Sequence, residues 1–165
     1  MRTEEIFDRL LEAYSVYYNV EKENAELPFD AEAVFKARHE QYFLMKSAKL
    51  AEIDANEYVY FIKKERAVFE EIKELSGKAW ERGLLKVTPD INHKSSDVIL
   101  IVVADKTDEE LKRSIKSIKF SKSYKLGLNG FSSFKLAVIE ASTGLSFYNG
   151  QGKALKSTVQ RLCAG

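Results

Sequence analysis

Seven consecutive apolar residues, Val98 to Ala104, read VILIVVA and are bounded by Asp97 and Asp105. The run is β-branched and too short for a buried helix, so it predicts a central strand covered on both faces. Such a strand needs helices on either side of its sheet. Phe69, Trp80, Ile99, Ile101, Val103 and Leu111 are therefore expected to be buried together.

The remaining periodicities supply those layers. Ile6, Phe7, Leu10, Leu11, Tyr14 and Tyr18 recur at helical spacing over residues 3–18, with Thr3 as cap and Glu4 and Glu5 in the first turn. From Asp30 the period falls to two, and Ala31, Ala33, Phe35 and Ala37 predict a strand. Residues 49–53 and 57–61 read as a hairpin about Asp54-Ala55-Asn56, which would complete a three-stranded meander. Val68, Phe69, Ile72, Leu75, Ala79 and Trp80 mark one helix face over residues 65–82, with Gly83 placed as its left-handed C-terminal residue. After the central strand, Thr107 and Glu110 form a capping box before Leu111, Ile115 and Ile118. Residues 134–141 and 145–148 predict two strands about Ser142-Thr143-Gly144, and Leu155, Val159 and Leu162 a closing helix. The order αβββαβαββα is an α+β fold, a mixed sheet of about six strands with helices packed on it. With no internal repeat and only two prolines, residues 1–165 read as a single domain.

Several classes drop out. One cysteine, Cys163, makes no internal disulfide and no zinc ribbon, and implies a reducing compartment. No apolar run approaches the ~20 residues that cross a bilayer, so no membrane partner is expected. The opening MRTEEIFDRL is acidic where a secretory signal would be basic, and the expected location is cytoplasmic. The net charge of +1 hides an asymmetry: residues 1–60 hold 7 basic and 13 acidic side chains, residues 61–165 hold 19 and 12. Opposite poles of this kind make a homo-oligomer a candidate assembly.

Catalytic patterns are sparse. The element order resembles the restriction-nuclease core, whose chemistry uses two carboxylates and a lysine around a metal. Pro89 and Asp90 resemble its Pro-Asp motif, with Glu110 and Lys112 as the following Glu-x-Lys, although the capping box already claims Glu110. Glu52, Asp54 and Glu57 offer metal oxygens without a lysine two residues on. His39 and His93 form no helix-borne zinc pair, and Asp90, His93 and Asp97 read more simply as a solvated loop. Asn149-Gly150-Gln151-Gly152-Lys153 lacks the spacing of a phosphate loop and reads as a hairpin exit. No metal and no cofactor are implied.

The most distinctive stretch is 111–139, which holds Lys112, Arg113, Lys116, Lys119, Lys122, Lys125 and Lys135 and no acidic residue. On a helical wheel Lys112, Lys116 and Lys119 share a stripe opposite Leu111, Ile115 and Ile118. Phe120, Tyr124, Phe131 and Phe134 interleave with the charges, a mixture suited to nucleic acid or another polyanion because lysine meets phosphate and rings stack on bases. Asn129 with Gly130 turns backbone N–H groups toward an anion. The ligand-binding set expected from sequence is Lys112, Lys116, Lys119, Lys122, Tyr124, Lys125 and Asn129. AKLAEIDANEYVYF and FSKSYKLGLNGF resemble small hypothetical proteins of Gram-positive anaerobic bacteria, a resemblance that implies a bacterial protein and no particular activity. The expected function is a non-catalytic binding or regulatory module for an anionic partner. The alternatives are a metal-dependent nuclease-like enzyme and a self-associating structural protein.

Overall fold

The apolar run lies inside a long strand, His93–Thr107, and all its side chains from Val98 to Ala104 are fully buried. The computed structural model describes residues 2–37, 54–89 and 93–164. In chain order it contains α1 (Arg2–Tyr14), β1 (Asn19–Glu21), β2 (Ala31–Ala37), β3 (Asp54–Ala67), α2 (Phe69–Leu85), β4 (His93–Thr107), α3 (Glu109–Ser114), β5 (Ser121–Ser123), β6 (Phe131–Glu140), β7 (Ser146–Tyr148) and α4 (Lys156–Ala164). Short 3-10 turns occupy Ile115–Ser117, Lys125–Gly127 and Gln151–Leu155.

One mixed seven-stranded sheet runs β1-β2-β3-β4-β6-β5, with β7 also beside β6. The pairings β3–β4 and β4–β6 are parallel and the rest antiparallel, so the chain has the α+β architecture its sequence implies. Alternate side chains of the parallel strands face opposite layers. Tyr58, Leu100, Val102 and Leu136 pack with Ile72 and Leu75 of α2 and Leu111 of α3. Val59, Phe61, Ile99, Ile101 and Ile139 pack with Phe7 and Leu10 of α1 and Val159 of α4. The expected single cluster is thus two. Phe69 and Leu111, with Trp80 partly buried against them, lie on one face, and Ile99, Ile101 and Val103 on the other.

Local sequence signals yield to tertiary pairing in several places. Asp54-Ala55-Asn56 is not a turn. It begins β3, where Asn56 pairs with Lys36 on one side and Ser96 on the other, so two ladders override turn propensity. Residues 49–53, the other half of the expected hairpin, lie outside the described residues. Residues 65–67 continue β3, and α2 starts at Phe69. Gly83 lies within α2 rather than beyond it. A Cβ at position 83 would fall 2.4 Å from Val98 Cγ2, so glycine lets the helix close on β4. The cap of α3 is Asp108, whose side chain accepts the Leu111 N–H at 2.8 Å, while Thr107 is the last residue of β4. Because α3 stops at Ser114, Lys112, Lys116 and Lys119 share no helix stripe.

The outer edge of β6 is closed in an unusual way. β5 pairs with residues 131–133 and β7 with 137–139, which leaves a gap between them. The buried side chain of Asn149 fills it. Its Oδ1 accepts the N–H of Leu136 at 2.9 Å and of Gly152 at 2.7 Å, and its Nδ2 donates to the carbonyls of Phe134 at 3.1 Å and Ile118 at 2.8 Å. One amide therefore satisfies four backbone groups and ties the 3-10 turn at Ile115–Ser117 to the one at Gln151–Leu155.

Truncation at the centre of the sheet tests this architecture. Ile101→Ala is expected to lower unfolding free energy by about 2–5 kcal/mol, read from urea denaturation. A loss below about 1 kcal/mol would mean that the face covered by α1 and α4 is not close-packed.

Candidate functional site

Two clefts border α4 and the 3-10 turn that leads into it. The larger, about 610 Å3, lies between α1 and α4 above the starts of the parallel strands. The odd-numbered face of the sheet is apolar further along, but it begins with polar side chains: Glu57 of β3 stands opposite Asp97 of β4, and Asp97 opposite Ser133 of β6. Lys135 Nζ lies 2.8 Å from Asp97 Oδ2, and the Ser133 hydroxyl donates to Asp97 Oδ1 at 3.0 Å. The Tyr18 hydroxyl, just beyond α1, donates to Glu57 Oε1 at 2.6 Å. Burial pushes the Glu57 carboxyl above the usual carboxylate range, and Asp97 adds to this. The Tyr18 hydrogen bond and the Lys135 charge oppose the shift without cancelling it. Burial and the Glu57 charge likewise push the Tyr14 and Tyr18 hydroxyls up.

These residues were missed as a group because they are remote in sequence. Each stands at the inward register of an otherwise apolar alternation: Glu57 before Val59 and Phe61, Asp97 before Ile99 and Ile101, Lys135 before Ala137 and Ile139. That interruption was the available signal.

The residues expected to bind an anion are spread over a wider surface than a single helix stripe. Lys112 is held by Glu109 at 3.3 Å and Glu140 at 3.5 Å, with its ammonium 5.5 Å from the centre of the Phe147 ring. Lys116 and Lys119 are exposed. Lys122 on β5 lies over the Tyr124 ring, but Tyr124 turns inward, its hydroxyl 2.8 Å from Ser132 Oγ and its ring edge-on to His93. Lys125 is exposed at positive φ, and Asn129 is half-buried, its amide reaching the Pro89 carbonyl at 3.5 Å. Lys135 belongs to the larger cleft. Lys112 and Lys116 line the second cleft, of about 400 Å3, together with Phe147, Lys153 and Lys156. Lys153 comes from the Asn149–Lys153 stretch that the sequence presents as a hairpin exit.

The other candidates do not converge. His93 is buried with its Nδ1 2.5 Å from the Asn129 carbonyl and its Nε2 2.6 Å from Ser96 Oγ, whereas Asp97 is engaged by Lys135 and Ser133. Glu110 is exposed on α3, away from the carboxylate pair. Asp90, Glu52 and His39 lie outside the described residues. Among the described residues no group of three or more His, Cys, Asp or Glu side chains is placed to hold a metal ion. No helix among them is long and apolar enough to cross a membrane.

A family model, domain of unknown function DUF8052, matches residues 2–161, and the chain belongs to that family. No curated protein and no solved structure matches it.

The raised Glu57 carboxyl makes a stability prediction. An acid whose folded pKa exceeds its unfolded value opposes folding once the pH rises above the unfolded pKa, because the fold then holds a charge that water solvates better. Glu57→Gln keeps an acceptor for Tyr18 and removes that charge. It is expected to raise Tm near neutral pH, with the gain shrinking as pH falls and Glu57 takes up its proton. Thermal melts between about pH 4 and pH 8 check this; a variant less stable at every pH would make the carboxylate a structural requirement.

Proposed function

For this member of DUF8052 we propose a binding function: the domain engages a phosphate-bearing partner through the lysine cleft beside β7. The observation that carries this reading is that Lys116, Lys153 and Lys156 surround the cleft and form no ion pair with any carboxylate among the described residues. Three exposed cations gathered around one concavity raise its local positive potential, which favours an anion there.

Their placement on the chain argues further against ordinary surface charge. Lysines at a helix C-terminus complement the dipole, which accounts for Lys112 and Arg113 at the end of α3. Lys156 opens α4 and Lys153 lies in the turn that feeds it, where the dipole is positive, and the first turn of α4 carries no acidic residue. These two positions cost helix stability rather than adding to it. Phe147 offers a ring at the cleft wall for a base or sugar beside the phosphate. The Asn149 side chain fixes both walls, since it bonds the carbonyl of Ile118 and the N–H of Gly152. A phosphate entering the cleft therefore meets lysines whose backbone is already positioned.

A charge-matched comparison tests this. One variant carries Lys116→Gln, Lys153→Gln and Lys156→Gln; the other carries Lys119→Gln, Lys122→Gln and Lys125→Gln, outside the cleft. Retention on a heparin column is expected to fall sharply only for the first. Its log affinity should lose roughly 0.7–0.9 of salt slope per contact removed. Equal retention of the two variants would reduce the cleft to net charge and overturn the reading. Titration with inorganic phosphate and with a short oligonucleotide separates a small phosphorylated ligand from a nucleic acid.

A further inference from the structure

The cleft between α1 and α4 is independent of the lysine cleft and carries a different chemistry. Its volume of about 610 Å3 is of the size that encloses a small organic molecule. Its lining carries the Glu57 carboxyl and the Lys135 ammonium, with Asp97 beside them on the sheet, and the pairing among the three is uneven. Lys135 and Asp97 neutralise each other at 2.8 Å, and Ser133 occupies the other Asp97 oxygen. Glu57 is the carboxyl left without a cationic partner among the described residues. Tyr18 takes its Oε1, while Oε2 meets no hydrogen-bond donor among the described residues. The walls are aromatic and aliphatic: Tyr14, Tyr17, Leu155 and Leu162.

We infer that this cleft binds an organic amine, whose ammonium group pairs with Glu57 and whose apolar body lies against the tyrosine rings and the leucines of α4. A half-desolvated carboxylate gains most from a charge-assisted hydrogen bond with a cation. Tyrosine faces favour the same charge, because the ring quadrupole presents its negative side. A carboxylate ligand would instead sit against Glu57, find Lys135 already paired, and meet only the water-exposed Arg161 as a cation. Arg161, the other cation on the lining, is exposed to water on α4, where its repulsion of a bound ammonium is screened.

The groups that face Glu57 are Tyr14 and Tyr18 from the α1 side, Asp97 from β4 and Lys135 from β6, with Arg161 across the cleft on α4. The tyrosines stay neutral, so Glu57 is the group whose ionisation creates the cation site. Affinity for an ammonium therefore rises with pH as Glu57 loses its proton.

Calorimetric titration with phenethylamine, and with 3-phenylpropionate as the anion of matching shape, tests the inference on the full chain. Phenethylamine is expected to bind at one site, more tightly at about pH 8 than at about pH 5, and 3-phenylpropionate not to compete. Glu57→Gln should weaken phenethylamine binding roughly 10- to 100-fold, the ratio set by losing one charged hydrogen bond. Tyr17→Ala, at the cleft mouth where Tyr17 is 53% exposed, should weaken it several-fold without altering the fold. Should Glu57→Gln fail to fold, the pH series on the native chain and Tyr17→Ala decide. Equal binding of the two probes, unchanged affinity in folded Glu57→Gln, or phenethylamine binding weaker than about 1 mM at about pH 8 overturns the inference.

Discussion

Burial of β4 on both faces organises the molecule. A strand whose neighbours β3 and β6 run parallel to it has no short return connection, so a helix must cross one face after β3 and a longer excursion must follow β4. Those crossings place α2 and α3 over the even-numbered side chains. The odd-numbered face is left to the two ends of the chain, α1 and α4. Apolar packing fills the middle and far parts of that second face, and the space over the strand starts becomes the cleft floored by Glu57 and Lys135.

α4 is the element both clefts share. Its lead-in turn and first residue present Lys153 and Lys156 to one side, and Leu155, Thr158 and Leu162 border the other. Val159 anchors the helix in the core between them. The two sites thus differ in charge because successive residues of one short segment point to different sides, as helical geometry requires.

Much of the fold was legible where a pattern is long and local. VILIVVA gave β4, the stripe from Ile6 to Tyr14 gave α1, and the alternation from Phe134 gave β6. What stayed hidden was set by partners distant in sequence. β1 and β5 are three residues each and carry no periodicity. Asp54-Ala55-Asn56 has turn chemistry but sits between two ladders, and Gly83 has cap chemistry but serves a close approach to Val98. The candidate sites follow the same rule. The basic run was visible from charge alone, yet only Lys112 and Lys116 of that set line the lysine cleft, and Lys153 and Lys156 arrive from another part of the chain. Glu57, Asp97 and Lys135 become neighbours only through strand pairing, which composition does not reveal.

Asn149 has a meaning for solubility as well as for shape. A sheet edge with bare N–H and C=O groups is a template for a strand from another molecule, and many β-containing proteins blunt such edges with charge, proline or bulges. Here β5 and β7 are too short to cover the edge of β6, and a single carboxamide completes the row by acting as one residue of a strand that is otherwise missing. The edge is thereby closed to recruitment of foreign strands without spending a longer segment of chain on it. That economy leaves the neighbouring backbone free to turn away and carry its lysines outward.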